Sequence, residues 1–178
     1  ALKWSSHEEQ PRWTPVLGTG QTDNGLSYDE MSSENDLFAL GQEQRHCIFS
    51  YLDNILYPYN GNIYGFVFRC HRDGKTLNTI YYKAQSGVNG TKVTLIEQRG
   101  MQNADPEDDA IVAAEYIRKT LETRLNDEAG SFSNYAERIS EYSEARHEIL
   151  TDVSPHFLSA LLLLLPRSLQ ADAALDQI

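Results

Sequence analysis

Cysteine is scarce in this chain. Cys47 and Cys70 are the only two among 178 residues. Two thiols are no disulfide framework, so a reducing compartment, the cytoplasm, is the expected location, with one bridge between them left open. Cys-x-x-Cys pairs and His-rich clusters are absent, which argues against a structural zinc or other metal, and no motif calls for a cofactor. Basic residues are also few. Fifteen Lys and Arg face 26 Asp and Glu, a net charge of −11. Direct nucleic-acid binding and docking to an anionic membrane both need a cationic surface, so both are disfavoured. Basic proteins, small molecules or simple solubility remain. Long apolar runs are missing, since the run at 157–165 is too short for a bilayer and Pro166 ends it. The chain opens without Met and without a cationic-then-apolar leader, so no signal peptide is expected. P-loop, GxGxxG and GxSxG motifs, internal repeats and heptads are absent too.

What is present reads as one α+β domain of ordinary hydrophobic content. Residues 1–33 mix Pro, Gly, Ser, Thr and acids and are expected to be an irregular N-terminal arm with a turn at Asn24-Gly25. The domain follows over 34–169, and a loose tail over 170–178. Ser33 before Glu34-Asn35-Asp36 is a helix start, and Gly41 interrupts. A helix over 42–56 carries Ile48, Tyr51, Leu52, Ile55 and Leu56 at spacings of three and four. Residues 63–70, 76–83 and 92–98 read as strands, the first two joined through Asp73-Gly74 and the last two by a polar loop. Asp105-Pro106-Glu107-Asp108 opens a helix to 126, with Ile117, Leu121 and Leu125 on one stripe. Further helices are expected over 134–150 and 155–165. Leu161–Leu165 is apolar all round and so is destined for the core or an interface. The expected fold is an N-terminal helix, a three-stranded antiparallel meander and a helical C-terminal third.

Two segments place reactive or amide side chains at element ends. Cys47 falls in the first turns of the expected 42–56 helix, where the positive end of the dipole lowers a thiol pKa. It also falls on the apolar stripe, where a cysteine is an inert core residue. His46 cannot serve Cys47 from the next position on a helix, because neighbours point about 100° apart. His71 and His156 are the histidines that folding could bring instead. Gln98, Arg99, Gly100 and Asn103 form the turn before the 106–126 helix. Gly100 permits a tight turn, and amides there can read a ligand or merely close the loop.

The order Gly41, His46-Cys47-Ile48, Tyr51, Arg69, Thr79, Gln98-Arg99-Gly100 and Asn103 resembles the PcfJ-like domain of conjugative plasmids and other bacterial mobile elements. The likeness covers about 40–121. It departs at Phe49, where the family has a glycine, and at Tyr81, where an acidic residue is common. The resemblance implies a site at His46, Cys47, Tyr51, Gln98 and Asn103, but no settled activity. Two functional expectations follow. One is an enzyme of thiol-dependent acyl transfer or hydrolysis, with Cys47 and His46 catalytic and Tyr51, Gln98, Arg99, Gly100 and Asn103 holding the substrate. The other is a non-catalytic acidic interaction or inhibitor module of plasmid or phage biology. It would bind a basic protein through its surface charge or the Leu161–Leu165 helix.

Overall fold

Two consecutive segments rich in aromatic and β-branched residues become the longest pair of strands in the computed structural model, which describes residues 12–57, 60, 62–127 and 131–151. They are β3 (Ile63–Arg72) and β4 (Lys75–Gly87). Asp73 and Gly74 join them with φ of 50° and 78°, the backbone that a tight hairpin turn of the primed type requires. β5 (Gly90–Arg99) returns directly after Val88-Asn89, so the polar loop expected over 85–91 is mostly strand.

The sheet has five strands, which corrects the three-stranded meander. β1 (Thr19–Gln21) and β2 (Ser27–Glu30) come from the segment expected to be an irregular arm, and the order β1-β2-β3-β4-β5 is antiparallel throughout. Asn24-Gly25 lies between them, with Gly25 at φ 80°. Both strands are short, and the inward positions of β2 are Tyr28 and Glu30. A carboxylate stands where period-two alternation should show an apolar group, which hides the strand from a hydrophobicity pattern.

Glu30 is buried and gathers the chain before it. Its carboxylate accepts the backbone N–H groups of Val16 at 3.1 Å, Leu17 at 2.7 Å and Gly18 at 3.1 Å. Burial nevertheless raises its pKa to about 7, outweighing those three donors and the more distant Arg138 charge.

The helices also depart from expectation. The Ser33 hydroxyl accepts the Asp36 N–H at 3.1 Å and caps α1 (Glu34–Gln44). Gly41 lies inside α1 and does not interrupt it. The break comes at Arg45, which is left-handed at φ 55°, ψ 50°. The helix expected over 42–56 is therefore the end of α1, a 3-10 turn at Ile48–Tyr51 and the short α2 (Leu52–Leu56). α3 (Asp108–Asp127) and α4 (Ser131–Thr151) follow the sheet.

Successive side chains on a strand point to opposite faces, and β4 uses both. Tyr81 stacks on Tyr51 of the 3-10 turn, with centroids 4.2 Å apart. Tyr82, its neighbour, donates its hydroxyl to the Ala114 carbonyl of α3 at 2.7 Å. On that second face Phe66 stacks on Tyr135 of α4 at 4.6 Å. The sheet thus lies between α1–α2 and α3–α4, with its core on both sides. The compact body ends at Tyr142, and the described residues beyond it, 143–151, finish α4 and belong to a second unit. Leu161–Leu165 and the tail lie outside the described residues. No helix among the described residues is long and apolar enough to cross a membrane.

Glu30 makes a pH prediction. Its pKa is higher in the folded chain than the usual 4.5, so its contribution is full below about pH 4.5 and is lost as pH rises through about 7. Glu30→Gln does not titrate. The stability of the parent relative to Glu30→Gln should fall by roughly 3 kcal/mol across that window, read from urea melts at a series of pH values. A difference that stays flat with pH would show that Glu30 ionises freely.

Candidate functional site

The turn after α1 delivers His46 and Cys47. The Arg45 and His46 N–H groups both bond to the Gly41 carbonyl, the latter at 3.1 Å. A Cβ on Gly41 would sit 3.1 Å from the His46 carbonyl and 3.4 Å from an Ile48 methyl. The missing side chain lets the chain fold back onto its own helix. An interior glycine costs a helix only about 1 kcal/mol, so the helix runs through it.

Cys47 is consequently not in the first turn of a helix. It is an exposed loop residue at φ −91°, ψ 33°, ahead of the 3-10 turn. His46 and Cys47 therefore need not diverge by a helical angle. Both side chains line one cleft of about 400 Å³, together with Ile48, Tyr51, Thr79, Tyr81, Glu97, Arg99 and Asn103.

Inside the cleft the polar groups are mostly engaged. His46 Nε2 lies 2.8 Å from Thr79 Oγ1. Burial holds the ring below the ordinary histidine pKa, while its own backbone carbonyl and the Glu97 charge pull the other way. The Tyr51 hydroxyl donates to Glu97 Oε2, and that bond, then burial, pushes Tyr51 up to about 12. Glu97 is held below the usual carboxylate range, first by the Tyr51 hydroxyl and then by Arg99 against the opposing effect of burial. Arg99 Nε lies 3.3 Å from Glu97 Oε1, and its Nη1 lies 3.3 Å from the exposed Asp105. At neutral pH the cleft therefore holds a neutral imidazole, a neutral phenol and a carboxylate–guanidinium pair.

The register places these groups. Thr79 pairs with Arg99 and Tyr81 with Glu97, but Tyr82 pairs with Leu95. Ile96 is an extra residue, a β-bulge. Without it, Glu97 and Arg99 would share a face with Val93, towards α3. With it they face the cleft, and Gln98 faces α3.

Gln98 is accordingly not in the cleft. Its amide donates to the Ala110 carbonyl at 2.7 Å and ties β5 to α3. Gly100 does not line the cleft either. It is buried at φ −81°, with its N–H on the Ala104 carbonyl at 2.8 Å, and a Cβ there would meet only ordinary contacts of 3.5 Å. Asn103 does line it, carried by two successive left-handed residues, Gln102 at φ 55° and Asn103 at φ 61°. His71 is elsewhere, 3.1 Å from Asp29, and His156 is outside the described residues. Phe49 points away to an exposed edge contact with Phe38 at 6.0 Å. Tyr81 supplies a stacking ring, not an acid.

Glu97 is the cleft residue that motif reading missed, while Ile48 and Thr79 stand in the motif order but were not among the expected site residues. Glu97 was visible only as a member of an alternating strand. The period-two rule does separate Gln98 from Arg99, which was a usable signal. A second hollow, of about 460 Å³, is lined by Arg12, Asp29, Asp36, Glu43 and Arg69 among others. Arg12 pairs there with Asp36 at 2.7 Å and Arg69 with Asp29 at 3.4 Å and Glu43 at 3.7 Å, while Glu30, which also lines it, is held by backbone amides. No cluster of three or more metal-ligating side chains occurs among the described residues. Comparison with protein-family models, curated proteins and solved structures gives no match.

The Tyr51–Tyr81 stack rests on Gly65 of β3. A Cβ there would lie 3.0 Å from the Tyr81 ring, 3.2 Å from its hydroxyl and 3.2 Å from the Asn54 carbonyl. Gly65→Ala should cost about 1–3 kcal/mol in denaturant unfolding, as overpacking does, and should alter the near-ultraviolet circular dichroism of the stacked rings. A fully stable variant with an unchanged spectrum would show that the stack does not depend on this glycine.

Proposed function

We propose that this chain is a small enzyme domain of thiol-dependent acyl transfer or hydrolysis, with Cys47 the nucleophile and His46 its acid/base. The observation that carries the reading is the exposed Cys47 thiol and the half-buried His46 ring on the wall of one cleft. The second thiol makes the contrast. Cys70 is fully buried, and burial pushes it up to about 11.

His46, neutral because burial depresses its pKa, takes the Cys47 proton. The thiolate sulfur bonds to the acyl carbon, and the bond from that carbon to the leaving oxygen or nitrogen breaks. The imidazolium returns its proton to the leaving group. Water, or an acceptor alcohol or amine, then attacks the thioester carbon and gives its proton to His46. The C–S bond breaks and the thiolate recovers a proton. Arg99 and Asn103, which line the cleft, are the residues proposed to hold the substrate, while Gln98 and Gly100 lie outside it. Kinship with the PcfJ-like domains of bacterial mobile elements is proposed on the order of residues in the sequence alone. A free, exposed thiol suits a reducing cytoplasm.

The exposed acids Asp105, Glu107, Asp108 and Asp109, the first of them paired with Arg99 of the cleft, favour a second reading, a non-catalytic module for a basic protein partner. The two readings separate on Cys47. In the folded chain iodoacetamide should label Cys47 near neutral pH at least about 100-fold faster than Cys70, by peptide mass spectrometry. p-Nitrophenyl acetate should release nitrophenolate in a burst stoichiometric with Cys47, and Cys47→Ser should abolish that burst while melting at a similar temperature. Equal labelling of both cysteines only under unfolding conditions, or a burst that survives Cys47→Ser, would refute the enzymatic reading.

A further inference from the structure

Glu97 is the charged group of the cleft that the reaction above leaves without a role. Its place is set by the backbone. Thr79, which carries His46 on its hydroxyl, pairs with Arg99, so Glu97 is the diagonal neighbour of Thr79 on the same face. One carboxylate oxygen accepts the Tyr51 hydroxyl and the other the Arg99 Nε. Tyr51 in turn lies flat on Tyr81, at an interplanar angle of 12°.

We propose that Glu97 is a positioning residue of this site: its carboxylate fixes Tyr51 and Arg99 and supplies the negative charge that faces His46 when the ring takes the Cys47 proton. The inference rests on the acyl-transfer reading for its last clause. The ionisable groups of the cleft are His46, Cys47, Tyr51, Tyr81, Glu97 and Arg99, with Asp105 on Arg99 at the rim. Tyr51 and Tyr81 both stand at about 12 and stay neutral. Arg99 is positive and opposes an imidazolium. Glu97 is the carboxylate that lines the cleft, and it favours the charged ring. The arrangement repeats the general logic of a base oriented and stabilised by a third group, with the charge acting across the cleft and not through a direct bond to the ring.

The test uses the full chain with Glu97→Gln, which keeps the side-chain shape, and Glu97→Asp, which keeps the charge. Glu97 is about a third exposed, so neither change buries a new polar group. The first readout is the titration of the His46 ring by proton NMR, assigned against His46→Asn. Its midpoint should fall by about half a pH unit or more in Glu97→Gln, because an opposite charge is lost, and should recover in Glu97→Asp. The second is acylation by p-nitrophenyl acetate. At neutral pH kcat should fall by about 10-fold in Glu97→Gln with KM little changed, and Glu97→Asp should regain much of it. A His46 midpoint that does not move in folded Glu97→Gln overturns the inference whatever the activity. A midpoint that moves while acylation is unchanged overturns Glu97 as a positioning residue. If the parent itself is not acylated, the acyl-transfer reading falls, and the titration alone still decides whether Glu97 controls His46.

Discussion

One unpaired residue in β5 decides what the cleft contains. Ile96 has no partner on β4, so the register passes from Tyr82–Leu95 to Tyr81–Glu97. A shift by one position turns every later side chain to the other face. Glu97 and Arg99 thereby stand beside Tyr81 and Thr79, under the α1 turn, and Gln98 is sent to Ala110 of α3. The same step secures both layers: one face gains its ion pair and the other its bond to a helix. Bulges recur next to functional sites because they re-aim side chains without breaking the sheet, and here the residues re-aimed are the charged ones.

The opposite wall depends on a chain reversal. α1 must stop before it overruns β4, and its last turn must send His46 towards Thr79. Arg45 adopts the left-handed conformation that helix ends usually give to glycine, at a cost of order 1 kcal/mol or more. Gly41 makes room for the returning backbone. Strain at Arg45 and at the consecutive left-handed pair Gln102 and Asn103 brackets the cleft from two sides. Such backbone survives only where its surroundings over-determine it, and both turns are tied down by hydrogen bonds to Gly41 and Ala104.

The elements with a clean period were legible in the sequence. β3 and β4 show it through aromatics and Asp73-Gly74, and α3 through Ile117, Leu121 and Leu125. What was hidden was hidden for physical reasons. β2 carries Glu30 inward, held by three amides of a segment that looks like a linker. A helix over 42–56 looked continuous because Ile48, Tyr51, Leu52 and Ile55 keep helical spacing. Spacing cannot report a single left-handed residue such as Arg45, whose side chain has no marked turn preference. At the site, residue type pointed to His46, Cys47, Tyr51, Arg99 and Asn103, and these share the cleft. Gln98 and Gly100 were grouped with them by proximity in sequence, which a strand contradicts, since adjacent residues face opposite ways. Glu97 was missed because a bulge leaves no residue signature.

The net charge of −11 and the chemistry of the cleft also fit together. An acidic surface by itself favours an imidazolium, and in the cleft the Glu97 charge acts on His46 in that direction. Within the cleft, burial lowers His46 and leaves it a free base, while Arg99 offsets Glu97. Cys47 lines the cleft and is exposed, where water screens distant acids. A thiol deeper in this protein would meet the environment of Cys70, where burial, against the pull of Arg72, takes the pKa to about 11. On the proposed reading the thiol is exposed, the ring that would take its proton is half-buried, and a balanced ion pair lines the same cleft.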